Sequence, residues 1–313
     1  MTEIWGNSIP FNTGKSKLSD MTVKKMPEIV LLLGMAMDTF GTKIVKSTKI
    51  FDTFTYEKNI KPGYGKATYD DVPTITPYLS DGSDIGVVIA PGGGFFYKEM
   101  EAEGHARARL MNQIGISAFV LDYRINPYKF PAAAMDMQRA VRYVRAHAAE
   151  YGVDPNKVGV MGSSAGSYVA ASSALLLSNE EPSAEGYTPD EIDKENGMPS
   201  FIALFYPVTG FLKNPSMLSL LVGKDFFDSR KRPALQEQFS LQNHLDGNVP
   251  PVFLTYGDKD PLKDMLDFER AMQEKKLPIE VLSVPKAGHG FSPIKNAESL
   301  WMKPFETWCK GLF

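Results

Sequence analysis

The stretch from Lys157 to Ser167 constrains the fold more than any other. A short apolar run, Val158 to Met161, reads as a buried strand. It passes through Gly162-Ser163-Ser164-Ala165-Gly166 into a helix-compatible run that reaches Leu177. Ser164 therefore stands at the tip of a strand-to-helix turn, with a glycine two residues away on either side. Side chains at those glycines would collide with neighbouring backbone. The serine is held in a strained conformation, its hydroxyl clear of the sheet, with the N–H groups that follow it aimed at a developing oxyanion. At average glycine and serine usage a chain this long yields about 0.1 to 0.2 chance matches to G-x-S-x-G. The flanking strand and helix carry the reading, more than the five letters do.

Composition sets bounds. The 313 residues can bury one sizeable core, and 43% hydrophobic with 23% charged content is ordinary for a globular protein. A net charge of −3 gives no electrostatic case for nucleic acid or an anionic membrane surface. The single cysteine, Cys309, excludes an intramolecular disulfide and a cysteine-rich zinc site. The longest apolar run, Ile29 to Met37, is bounded by Glu28 and Asp38 and is too short to span a bilayer. Met1 to Pro10 has no basic n-region, so with Met1 as the natural start the expected location is the cytoplasm.

Along the chain, residues 1–50 form an N-terminal segment whose Met21 to Lys46 stretch has enough Met, Leu and Ile for one or two helices. Packing against the main domain and roofing an active site both remain open for it. Residues 51–313 read as the catalytic domain. Asp52 to Tyr56 and Thr74 to Leu79 alternate like half-buried strands, and Ile85 to Ala90 suits a strand buried on both faces. Directly after it come Pro91-Gly92-Gly93-Gly94, where bare N–H groups can approach a ligand closely. The G-x-G-x-x-G spacing is absent, which disfavours a dinucleotide-linked enzyme. Helices are expected over Gly104 to Ile114, Pro131 to Tyr151, Leu262 to Lys275 and Ala297 to Lys310. Strands are expected over Ile116 to Tyr123, Phe201 to Val208, Pro251 to Tyr256 and Pro278 to Val284. Arg139, Arg142 and Arg145 read as the solvated face of their helix. Ser178 to Pro199 reads as a surface excursion with Glu180, Glu181 and Glu185 in solvent. Residues 209–249 lack strand character but carry Phe211, Met217, Leu218, Leu220, Leu221, Phe226, Phe227 and Phe239, and read as a small lid lining a substrate pocket. Strands alternating with helices give an α/β fold with a mainly parallel central sheet flanked by helices, and ligands at the carboxyl ends of its strands.

A serine nucleophile needs a base, and the base an orienting carboxylate. Of four histidines, His105 and His147 fall at or in helices and His244 in the lid. His289 follows the last strand in the glycine-flanked turn Gly288-His289-Gly290. For the acid, Asp258 and Asp260 both follow the preceding strand. Asp260-Pro261 is favoured, and Asp258 is read as a turn residue bonding its own backbone.

The order Ser164, Asp260, His289, with the glycine loop upstream, resembles the α/β-hydrolase superfamily. More narrowly, it is similar to the acetyl-xylan-esterase-like branch related to the hormone-sensitive-lipase group. The likeness rests on Ala90 to Phe95, Asp122-Tyr123-Arg124, Asp136 to Arg142, Gly162 to Gly166, Asp260-Pro261-Leu262 and His289-Gly290-Phe291. It implies Ser164 as nucleophile, His289 as base and then acid, and Asp260 as orienter. It also implies an oxyanion hole from the N–H groups of Gly93, Gly94 and Ala165, and chemistry needing neither metal nor organic cofactor. Two positions depart from relatives. Pro91 replaces the histidine of lipase-like members, and Ser167 stands where sugar-deacetylating members usually carry a further glycine.

The expected activity is hydrolysis of short-chain acyl esters, acetyl foremost, through an acyl-enzyme. The substrate would be a small-molecule ester, an acetylated sugar included. An amidase, formamidase or peptidase on the same triad is the alternative, and a long-chain lipase a further one. A non-catalytic binding module is disfavoured because every triad member is present. Oligomeric state and natural substrate are not legible in the sequence.

Overall fold

The computed structural model describes residues 1–11, 24–26, 54–56 and 72–313, apart from 96–97, 126–127, 178, 180–181 and 185. The helices expected between Met21 and Lys46 lie outside the described residues, save for one short strand, and so do Glu180, Glu181 and Glu185. That strand, β2 (Lys24–Met26), pairs in parallel with β3 (Phe54–Tyr56).

The main sheet has eight strands: β1 (Thr2–Glu3), β4 (Thr74–Tyr78), β5 (Gly86–Ala90), β6 (Ser117–Asp122), β7 (Val158–Ser163), β8 (Ile202–Phe205), β9 (Val252–Gly257) and β10 (Ile279–Val284). Their spatial order is β1-β4-β6-β5-β7-β8-β9-β10. The pairs β1/β4 and β4/β6 are antiparallel, and all the others are parallel. The central strands β5, β7, β8 and β9 are buried along their whole length, the pattern required of strands covered by helices on both faces. Their Val, Ile, Leu and Phe side chains divide between two apolar cores, one on each side of the sheet.

Helices α1 (Ala106–Gln113), continuing a π-turn over Met100–His105, and α8 (Glu298–Lys310) cover one face. On the other lie α2 (Ala132–Ala146), the one-turn α3 (Ala148–Tyr151), α4 (Ala165–Leu175) and α7 (Asp264–Glu274). The helix expected over 131–151 is interrupted at His147, where φ −108° and ψ 19° leave the helical region. Its Nδ1 and the Tyr143 carbonyl oxygen lie 2.8 Å apart. Residues 209–249 contain α5 (Leu218–Val222) and α6 (Arg232–Gln238) among 3₁₀ turns. Phe211, Met217, Leu218, Leu220, Leu221, Phe226 and Phe239 are all buried in the core that also holds α2 and α4.

One expectation fails clearly. Arg139 and Arg142 are only 1% exposed, and Arg145 is half-buried, bonding the carbonyl oxygens of Pro155 and Asn196. Two parts of the chain cover them. Arg139 donates to the Ile4 carbonyl oxygen, pairs with Asp190 and Asp193 at 2.7 and 2.8 Å, and lies over the Trp5 ring. Arg142 donates to the Asn179 carbonyl oxygen. Ile4 and Trp5 from the start of the chain, and Asn179, Asp190 and Asp193 from the excursion, lie against this helix face, so its charges meet carboxylates and carbonyls in place of water. One turn away, buried Asp136 accepts from the Trp5 indole and forms a bidentate pair with Arg124.

Candidate active site

The elbow owes its shape to two glycines. A Cβ at Gly162 would lie 2.3 Å from the Gly166 carbonyl oxygen, and one at Gly166 would lie 2.2 Å from that of Ala90. Only a bare backbone lets β7, α4 and the end of β5 meet this closely. Between them Ser164 takes φ 50°, ψ −120°, a strained conformation for a residue with a side chain. The elbow is tied down locally. Ser164 N–H donates to the Phe205 carbonyl oxygen, and its own carbonyl accepts from Val208 and Ser167. The Ser167 hydroxyl donates to the Gly162 carbonyl oxygen at 2.6 Å.

The acid and the base arrive after β9 and β10, with β8 between them and the elbow strand. After β9 the chain turns at Gly257, where a Cβ would sit 2.2 Å from the Ala287 carbonyl oxygen, so the loops after β9 and β10 interlock. Lys259 N–H donates to that same carbonyl. This places Asp260 in the interior, with no exposed surface. One carboxylate oxygen accepts from Leu262 N–H at 2.9 Å and the other lies 2.9 Å from His289 Nδ1. His289 opens a one-turn 3₁₀ helix after β10, and its Nε2 lies 2.9 Å from Ser164 Oγ. Its side chain is 36% exposed, so the serine end of the file faces solvent. Asp258 takes no part: its carboxylate faces Lys259 at 3.6 Å and does not bond its own backbone as the sequence suggested. The other histidines are engaged elsewhere, His105 with the Tyr78 hydroxyl and His244 with the Gln238 carbonyl.

With a buried carboxylate at Nδ1, the neutral imidazole carries its proton there and presents a lone pair to Ser164 at Nε2. The glycine loop closes on the same point. A Cβ at Gly92 would lie 2.9 Å from Ser164 Cβ and 2.6 Å from the Ser163 carbonyl oxygen. Gly93 and Gly94 follow with φ 135° and 63°. Ala165 begins α4, so its N–H is one of the donors a helix start leaves unpaired within the helix.

A cleft of about 20 Å³, lined mostly by apolar side chains, among them Phe95, Tyr123, Tyr168, Leu220 and Leu221, lies between α2 and α4, and none of Ser164, Asp260 and His289 lines it. Phe95 follows the glycine loop, Tyr168 sits one turn along the elbow helix, and the two leucines come from residues 209–249.

Sequence reasoning passed over three residues. Glu103 accepts from Gly92 N–H at 2.7 Å and from the Tyr206 hydroxyl at 2.8 Å. Arg107 Nη2 donates to that hydroxyl at 3.1 Å. The Tyr206 ring meets the His289 ring edge-on, centroids 5.2 Å apart. One signal was available: Arg107 falls on the helix face of Met111 and Ile114, a charge within an apolar stripe.

Comparison with known proteins agrees with this architecture. The chain is 30% identical to an endo-1,4-beta-xylanase B of Butyrivibrio fibrisolvens over 72% of its own length and 36% of that protein's. It is 26% identical to an acetylxylan esterase of Xylanibacter ruminicola, over 66% of its own length and 40% of that protein's. It thus spans well under half of either relative. A crystal structure of an acetyl ester-xyloside bifunctional hydrolase from Caldicellulosiruptor lactoaceticus superimposes with a TM-score of 0.66 at 29% identity, covering 77% of this chain and 88% of that one. Residues 87–293, which run from β5 through the elbow to the histidine turn, match the family model described as alpha/beta hydrolase fold, and the chain belongs to that family.

Proposed function

We propose that this protein is a serine ester hydrolase that removes short acyl groups, acetyl foremost, through an acyl-enzyme on Ser164. The observation that carries the reading is the hydrogen-bonded file Ser164–His289–Asp260, with both of its contacts 2.9 Å long, beside a loop of consecutive glycines. In this reading the substrate carbonyl settles about 3 Å from Ser164 Oγ. His289 Nε2 takes the hydroxyl proton as Oγ bonds to the carbonyl carbon, and the displaced electron pair goes to the carbonyl oxygen. The N–H groups of Gly93, Gly94 and Ala165 receive that oxyanion. As the tetrahedral species collapses, the C–O bond to the alcohol breaks and His289 protonates the leaving oxygen. Water, deprotonated by the same nitrogen, then adds to the acyl carbon; the bond to Ser164 Oγ breaks as His289 returns the proton to Oγ, and the acid leaves. Asp260 holds the imidazole in the tautomer that each step needs.

A further consideration supports a small acyl group. Two of the three relatives named above are an acetylxylan esterase and an acetyl ester-xyloside bifunctional hydrolase, which makes acetylated sugars the first natural substrates to try.

The test is hydrolysis of p-nitrophenyl acetate, butyrate and octanoate by the parent and by Ser164→Ala. Acetate turned over faster than butyrate, with an inactive variant, supports the reading. Octanoate preferred over acetate overturns the short-acyl part. Turnover of a matched anilide alone overturns the ester assignment.

A further inference from the structure

We infer that Glu103 and Tyr206 are positioning residues that lock the glycine loop and the histidine into one geometry; this rests on Ser164 being the nucleophile. A loop opening with Gly92-Gly93-Gly94 has no side chains to hold it, so its N–H groups keep their aim only if something outside the loop fixes them. One anchor is a backbone bond from Glu99 N–H to the Gly92 carbonyl oxygen. The other is the Glu103 carboxylate, one oxygen of which accepts from Gly92 N–H at 2.7 Å.

The second carboxylate oxygen accepts from the Tyr206 hydroxyl at 2.8 Å, and Tyr206 is 3% exposed. Tyr206 sits just past the end of β8 at φ 37°, an unfavourable backbone conformation for a bulky residue. It is held there by its own N–H, which donates to the Thr255 carbonyl oxygen at 2.6 Å. Its ring meets the rings of His289 and Phe291 edge-on, centroids 5.2 and 5.1 Å away. A single tyrosine thus touches the base through its ring and the glycine loop through its hydroxyl. Burial pushes that hydroxyl up to about 12, so it remains a donor throughout the working range of an imidazole base.

The charges are arranged to suit the chemistry. A carboxylate close to an oxyanion hole would oppose the negative charge that forms there. Arg107, 7% exposed and lying over the Phe205 ring at 4.1 Å, donates to the other side of the Tyr206 hydroxyl. Its positive charge offsets the carboxylate through one shared hydroxyl, so the anchor is held without presenting a bare negative charge to the site.

Glu103 has to accept at both oxygens. In Glu103→Gln the shape is kept, but the charge is lost and one acceptor becomes an amide N–H₂ facing a Tyr206 hydroxyl that already accepts from Arg107, so the hydroxyl proton loses its acceptor. Tyr206→Phe keeps the ring against His289 and removes only the hydroxyl. The two variants and their combination are compared by the second-order rate at which a fluorophosphonate labels Ser164, which needs an active nucleophile and oxyanion site but no particular substrate. Ester kinetics are measured in parallel.

Glu103→Gln is expected to slow labelling about 10-fold or more and to lower kcat to match, with KM within about twofold, because a displaced donor loop weakens binding of the oxyanion and not of the ground state. Tyr206→Phe is expected to lose less, and the double variant no more than Glu103→Gln alone, since both cut one chain. A parent-like labelling rate in Glu103→Gln overturns the inference, and so do losses that simply multiply. Should Glu103→Gln fail to fold, Tyr206→Phe with parent-like labelling overturns it alone. A parent that does not label at all removes the nucleophile, and the inference with it, whereas labelling without ester turnover fails the ester reading only.

Discussion

Ser164 after β7, His289 after β10 and Asp260 after β9 stand in single file, each joined to the next by one hydrogen bond. On α2, by contrast, Asp136 and Arg139 each bond several partners at once. Asp136 accepts from Trp5 and Arg124, and Arg139 reaches Ile4, Asp190 and Asp193. Both places carry polar groups into the interior. The file is open at its serine end and strained at φ 50°, whereas the arginine hub is multiply paired, with Arg139 and Asp193 buried and Asp190 reaching the surface. A reacting group has to be left short of partners so that substrate can supply the last one. A structural ion cluster has to leave none wanting. The same contrast separates the two kinds of damage a substitution can do.

Ser164→Gly should show the separation at its widest. Loss of the nucleophile is expected to lower kcat/KM by about 10⁴-fold or more. Glycine tolerates the elbow's positive φ without strain, so stability is expected to stay level or rise by up to about 2 kcal/mol, read as an unchanged or higher Tm. A lower Tm would mean that the elbow is not a strained site. Asp260→Asn comes next, with an expected loss of about 10³- to 10⁴-fold because an asparagine can turn its amide N–H toward Nδ1 and impose the wrong tautomer. The Leu262 N–H that now bonds the carboxylate can still be accepted by the amide oxygen, so little stability should be lost.

Arg139→Met reverses the pattern. It leaves the fully buried Asp193 without its 2.8 Å partner, and removing one member of a buried pair costs about 3 kcal/mol or more. The Tm should fall by roughly 6 to 12 °C, while kcat/KM per folded molecule stays within about twofold. Cys309 offers an independent check, because burial pushes its thiol up to about 12 and shields it from thiol reagents until the chain opens. Its modification should be faster in Arg139→Met. A large loss of kcat/KM in a fully folded variant would show that hub and file are coupled.

The contrast also accounts for what could be read from the letters. The elbow was legible because Gly162 and Gly166 are a local record of a backbone too crowded for a Cβ, whatever packs elsewhere. The buried strands were legible for a similar reason, since runs such as Val87-Val88-Ile89 admit few environments. The arginines of α2 were misread because three charges at near-helical spacing look like a solvated face until a distant segment covers them. The segments that do so, around Ile4 and Asp193, are remote from them in sequence and carry no periodicity of their own. The Glu103–Tyr206 link was hidden in the same way, joining residues 103 apart through a carboxylate that reads as ordinary helix-start acidity.

The smallest expected effect concerns Ser167, where related sugar deacetylases usually have glycine. Its hydroxyl donates to the Gly162 carbonyl at 2.6 Å and accepts from Phe205 N–H at 3.3 Å, so it faces the elbow's own backbone. Nothing in that geometry offers it to a substrate, and it is fully buried. Ser167→Gly removes the short buried hydrogen bond to Gly162, worth about 1 kcal/mol, together with the longer one from Phe205 N–H, and adds glycine to a helix, at about another 1 kcal/mol. The expected result is a Tm lower by a few degrees, with the ratio of acetate to butyrate hydrolysis unchanged. The serine would then be one of two ways to brace the same turn, a bonded hydroxyl in place of closer backbone packing, and its presence would say nothing against an acetylated sugar. A shifted acyl ratio without loss of Tm would instead place the determinant of acyl length inside the elbow, the one part of the site where the structure leaves no room for it.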